Sequence, residues 1–66
     1  MELYIEREDK TKSITLNKPT PLISILKEEG ISLESVLLIK NDNICLEDEL
    51  IDDNDKIKLL SVVSGG

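Results

Sequence analysis

From Glu2 to Glu8 the chain alternates, with Leu3 and Ile5 on one face and Glu2, Tyr4 and Glu6 on the other, the period of a half-buried strand. Asp9-Lys10-Thr11 is polar and turn-like. Alternation resumes from Ser13 to Asn17 through Ile14 and Leu16, so the two segments are expected to pair as a hairpin. Asn17-Lys18-Pro19-Thr20-Pro21 breaks the pattern. Thr20 is suited to cap a helix, and Pro21 to its first position, where no amide hydrogen is needed. The helix that follows has Leu22, Ile25 and Leu26 on one stripe, widened by Ile23, and carries Lys27, Glu28 and Glu29 before Gly30. A left-handed Gly30 would put Ile31 and Leu26 where a Schellman motif makes its hydrophobic contact.

Beyond the helix, Ser32 to Ser35 form a polar connection to a strand over Val36 to Lys40. That strand is apolar on both faces, as in a sheet interior or beneath a docking patch. Asn41-Asp42-Asn43 reads as a turn and Ile44-Cys45-Leu46 as a short strand. The acidic stretch from Glu47 to Asp55 contains Leu50 and Ile51, one or both of which should plug the core. Asp53-Asn54-Asp55 is a second turn, with Asn54 tolerant of positive φ. Lys56 to Val63 is the last strand, followed by Ser64-Gly65-Gly66. Hairpin, helix and three further strands are the layout of an α+β domain with one helix on one sheet. The expected core is Leu3, Ile5, Ile14, Leu16, Leu22, Ile25, Leu26, Leu38, Ile57 and Leu59.

Composition narrows the function. The chain has 66 residues, 39% of them hydrophobic, close to the lower limit for a core without staples. Fourteen acidic residues against 8 basic ones give a net charge of −6. That opposes nucleic-acid binding, which requires a basic footprint to displace counterions, and favours docking against a basic protein surface. The longest apolar run, Val36 to Ile39, is far too short for a membrane span, and the first residues lack the basic and apolar regions of a secretory signal. A cytoplasmic protein is expected.

Catalytic chemistry is sparse. There is no His for acid–base work or metal ligation, and the three glycines form no phosphate loop. Cys45 stands alone, without a basic neighbour in sequence to stabilise its thiolate, and is read as structural. The acidic groups Glu47-Asp48-Glu49 and Asp52-Asp53 lack the spacing of a calcium loop and are read as solvated, so no metal is expected. What remains is Gly65-Gly66. Glycine lacks a Cβ, so such a tail can thread a narrow channel and present the Gly66 carboxylate to another enzyme.

Three segments resemble the ThiS/MoaD family of ubiquitin-like sulfur carriers. They are the apolar strand of Val36 to Ile44 with its turn at Asn41, the turn Asp53-Asn54-Asp55-Lys56-Ile57 with Asn54 in place of glycine, and the end Val63-Ser64-Gly65-Gly66. The first half resembles the family in layout. The resemblance implies a β-grasp domain over residues 1–66 with a flexible tail at about 64–66. It also implies that the Gly66 carboxylate is adenylated by a partner resembling ubiquitin-activating enzymes, which supplies ATP and magnesium, and that this chain binds no cofactor. A persulfide donor then leaves a thiocarboxylate for a sulfur-accepting synthase. Val63, Ser64 and Gly65 would thread the partner's channel. Ser61 and Val62 stand where molybdopterin-synthase small subunits tend to carry two prolines. The resemblance is therefore closer to carriers for thiamine, with carriers for tRNA thiolation sharing the layout and molybdopterin less favoured.

Docking would use the sheet face away from the helix. With Ile57 and Leu59 in the core, Lys58, Leu60 and Val62 point outward. In a β-grasp the first and last strands are neighbours, so Tyr4 would lie beside Leu60, with Leu37 or Ile39 extending the apolar surface. Two other functions begin from the same residues: a ubiquitin-like modifier joined to lysines through Gly66, and a regulatory interaction module with an inert tail.

Overall fold

In a computed structural model, residues 1–62 are described. The chain runs β1 (Glu2–Ile5), a 3-10 turn (Glu6–Glu8), β2 (Lys10–Ser13), β3 (Thr20–Pro21), α1 (Leu22–Glu28), β4 (Val36–Lys40), β5 (Asn43–Ile44), β6 (Leu50–Ile51) and β7 (Lys56–Ser61). The main sheet has the order β2-β1-β7-β4-β5, and β3 pairs with β6 in a separate two-stranded ladder. β1 and β7 are parallel and every other pair is antiparallel. The last strand thus lies at the centre of the sheet, with one helix against one face. This is a β-grasp.

Burial selects the inward positions of each strand. Leu3, Ile5, Leu38, Ile57 and Leu59 meet Leu22, Ile25 and Leu26 of α1 in one core. Ile14 and Leu16, expected within it, are half-buried and pack against its margin. Met1, Cys45 and Ile51 join it, and Ile51 is fully enclosed while Leu50 is 55% exposed. Of the two candidate plugs in the acidic stretch, only Ile51 serves. Its pairing with Thr20 in the β3·β6 ladder turns it inward and Leu50 outward.

The hairpin differs from its expected bounds. β1 ends at Ile5 because the chain turns into the 3-10 helix, closed by Asp9 at φ 49°. The second strand therefore pairs from Lys10 to Ser13 instead of Ser13 to Asn17. Thr20 does not cap α1. It lies in β3, and its hydroxyl donates to the Lys18 carbonyl at 2.9 Å. The opening amides of α1 find backbone partners, Leu22 N–H donating to Glu49 O at 3.0 Å and Ile23 N–H to Glu47 O at 2.7 Å. The acidic stretch satisfies donors that a side-chain cap would otherwise serve.

The helix stop follows expectation. Gly30 is at φ 69°, Ile31 N–H donates to Leu26 O at 2.9 Å, and Gly30 N–H donates to Lys27 O at 3.1 Å. Both bonds of a Schellman motif are present.

Two turns position β7. Asn41 and Asp42 have φ of 49° and 69°, giving the two-residue hairpin turn whose twist suits the flanking strands. Lys40 pairs with Asn43, so β5 begins one residue earlier than expected and ends at Ile44. The Asn41 side chain reaches the turn before β7, donating to Asp55 Oδ1 at 2.9 Å and accepting from Lys56 N–H at 3.0 Å. Asp55 Oδ2 accepts from Asp52 N–H at 2.8 Å, closing that turn without a positive φ at Asn54.

Candidate functional site: the outer sheet face and the end of β7

The register of the sheet brings the sequence-predicted docking residues to one face. Leu60 on β7 is directly opposite Leu37 on β4. Tyr4, Lys58, Ile39 and Ile44 form a row across β1, β7, β4 and β5 through three successive pairings. Tyr4 is therefore in register with Lys58, not with Leu60, which lies further along the strand. Parallel alignment of β1 with β7 sets this offset. Tyr4, Ile39 and Leu60 are half-buried by their neighbours, while Leu37 is 37% and Val62 48% exposed. Exposed apolar side chains are common singly, and here several share one sheet face, interrupted by Lys58.

Ile44 adds to this surface and was missed by sequence reasoning. It is 71% exposed and paired with Ile39. Inward-facing Cys45 provides the signal that could have found it, since strand alternation then turns both Ile44 and Leu46 outward. Leu46 is likewise exposed.

Charge surrounds and punctuates the apolar face. The Lys58 ammonium lies 3.5 Å from Asp42, an ion pair between two exposed side chains. Such pairs contribute little and exchange readily with other partners. The Tyr4 hydroxyl donates to Asp9 Oδ1 at 3.1 Å. That bond, aided by slight burial and by the charges of Asp9 and Glu6, raises the phenol above its ordinary range and keeps it neutral.

Other ionisable groups serve the frame. Burial pushes the Cys45 thiol up, Glu49 adds to the shift, and nearby Lys40 partly opposes it, so the sulfur stays protonated and poorly nucleophilic. Asp53 accepts from Leu16 N–H at 2.9 Å and from the Met1 amine at 3.2 Å. Among the described residues no cluster of three or more His, Cys, Asp or Glu could hold a metal ion, and no helix is long and apolar enough to cross a membrane.

β7 carries both parts of the expected site. Its outward residues contribute to the apolar face, and its course leads through Val62 to the Gly-Gly sequence. Val63, Ser64, Gly65 and Gly66 lie outside the described residues. The ThiS family model matches residues 3–66, from the first core residue of β1 through the final glycine.

The chain belongs to the ThiS family.

This assignment agrees with the β-grasp topology and identifies a small sulfur carrier. Family membership brings adenylating and sulfur-transfer partners in general. No curated protein matches the ThiS-family chain.

Proposed function

We propose that the carrier works through the carboxylate of Gly66, which a partner enzyme adenylates and converts to a thiocarboxylate. The supporting observation is the path of β7: one strand joins the apolar face containing Leu60 to the segment leading into Gly65-Gly66. An enzyme docked on that face receives the tail from a fixed origin.

A free carboxylate is a poor electrophile, being anionic and resonance-stabilised. Its oxygen attacks the α-phosphorus of ATP and releases pyrophosphate, giving an acyl adenylate. A persulfide sulfur attacks the acyl carbon and expels AMP, forming an acyl disulfide. A second thiol cleaves the S–S bond, leaving the thiocarboxylate and a new disulfide. The partner supplies ATP, magnesium and sulfur, and the carrier supplies the acyl group and the docking surface. The product donates sulfide to a synthase, with thiamine thiazole formation or tRNA thiolation favoured over molybdopterin synthesis by Ser61 and Val62. A cytoplasmic location suits these steps.

ATP–pyrophosphate exchange with the adenylating enzyme tests the reading. Gly66→Ala, or one residue added after Gly66, should slow exchange on the order of a hundredfold, the effect of displacing a reacting group by about 1 Å. Thermal stability should not change. Undiminished exchange by the extended protein would remove Gly66 as the reacting group. Intact mass from native cells should show the shift of an oxygen-to-sulfur exchange. High-mass adducts on lysines would instead identify a protein modifier, and function retained without Gly65 and Gly66 would identify an inert tail.

A further inference from the structure

The last positions of β7 are held from both sides by groups outside its regular ladders. β1 leaves the sheet after Ile5, whose partner on β7 is Leu59. Two residues further along β7, the Ser61 amide faces the β1 side, where the strand has turned away into the 3-10 helix. Glu6, first in that turn, supplies the missing acceptor: Ser61 N–H donates to Glu6 Oε1 at 2.8 Å. Successive strand amides point to opposite edges, and Val62 N–H accordingly donates to Ser35 O on the β4 side, also at 2.8 Å. Ser35 is held at φ 58°, a left-handed backbone uncommon for a residue with a side chain. Arg7 joins the two sides, its Nη2 donating to Glu34 O at 3.4 Å.

We infer that Glu6, Arg7 and the Ser35 carbonyl form a collar around the end of β7, with Glu6 a positioning residue that fixes where the tail begins. This rests on the reading of Gly66 as the reacting group. Without the collar, the fixed strand would end nearer Leu60, and the segment between docking face and carboxylate would lengthen. Effective concentration at a fixed site falls as the length of chain between the anchor and the reacting end grows. Glu6 acts by placing an acceptor oxygen 2.8 Å from a strand amide whose ladder partner has turned away, and an amide left without an acceptor is costly. Its side chain is exposed, so its replacement leaves the core intact.

Glu6→Ala and Glu6→Gln, compared with the parent, test the collar in two measurements. In native-state hydrogen exchange, Glu6→Ala should speed exchange at Ser61 on the order of tenfold, while amides at the middle of β7 stay unchanged. Glu6→Gln, which retains an acceptor oxygen, should restore most of the protection. In ATP–pyrophosphate exchange with the adenylating enzyme, Glu6→Ala should lower kcat by about three- to tenfold with KM within about twofold, and Glu6→Gln should recover kcat. Unchanged Ser61 exchange in Glu6→Ala would show that there is no clasp. Lost protection with unchanged kcat would make the clasp structural only, and an effect confined to KM would place Glu6 in the docking surface instead. Absence of exchange by the parent would overturn the Gly66 reading and the positioning role with it, while the amide measurement would still decide whether the clasp exists.

Discussion

Leu60 and Leu37 face each other across β7 and β4 on the sheet surface away from the helix. Neither belongs to the buried core, yet the pairing places both beside the path to the tail. In the proposed complex this is the centre of the contact. Leu60→Glu should weaken binding to the adenylating enzyme about tenfold or more, because a carboxylate would be desolvated against an apolar surface. Leu37→Glu should act in the same direction, and the double variant should fall short of the sum because the pair shares one contact. Calorimetric titration measures the affinities, and circular dichroism should show the native fold in each. Unchanged affinity would remove the pair from the docking site.

The Asn41-Asp42 turn predicts a stabilising substitution. Both residues adopt positive φ, and among the described residues Asp42 makes only an exposed ion pair, with Lys58. Asp42→Gly creates the Asn-Gly sequence preferred in such turns and relieves steric strain at Asp42, with a gain of about 0.5 kcal/mol after the entropy of glycine is counted. Thermal melting should rise by about 3 °C. Asn41→Ala should go the other way, since it removes the bonds to Asp55 and Lys56. A fall in melting temperature for Asp42→Gly would show that the Asp42 side chain contributes more than its exposed pair indicates.

Asp53 and Asp55 make stability depend on acid. The bond from Leu16 N–H, followed by that from the Met1 amine, holds Asp53 below its ordinary value of 3.8. Asp55 is lowered first by Asp52 N–H and then by Asn41. Depressed carboxylates bind protons less readily folded than unfolded. Their contribution is therefore complete above the unfolded value and lost as pH falls through the lower folded value. Melting temperature should be level near neutrality and decline below about pH 4. Asp53→Asn should lower the neutral melting temperature and flatten the acid decline. An equally steep decline in that variant would assign the acid sensitivity to other groups.

The most local features were legible before any fold was known. Val36–Lys40 is a strand at its expected bounds, and Gly30 ends the helix through the motif its neighbours Leu26 and Ile31 announced. Chemistry within a few residues decides both. Thr20 misled because its type suits a cap, while the amides it would have served bond to Glu47 and Glu49, more than twenty residues away in the chain. Ile51 was only one of two candidates because hydrophobicity alone cannot distinguish it from Leu50. The Thr20 pairing made that choice.

By itself the sequence determined the strand and helix periods, the inward set on β1, α1 and β7, and the Gly-Gly end expected to react. These depend on side-chain type and spacing, which act over a turn or a strand. The tertiary structure alone decided that Tyr4 meets Lys58, that Ile44 extends the apolar face, and that Glu6 receives the Ser61 amide. Each depends on the register between strands distant in the chain. Register follows from packing the whole sheet against one helix, and no local pattern contains it.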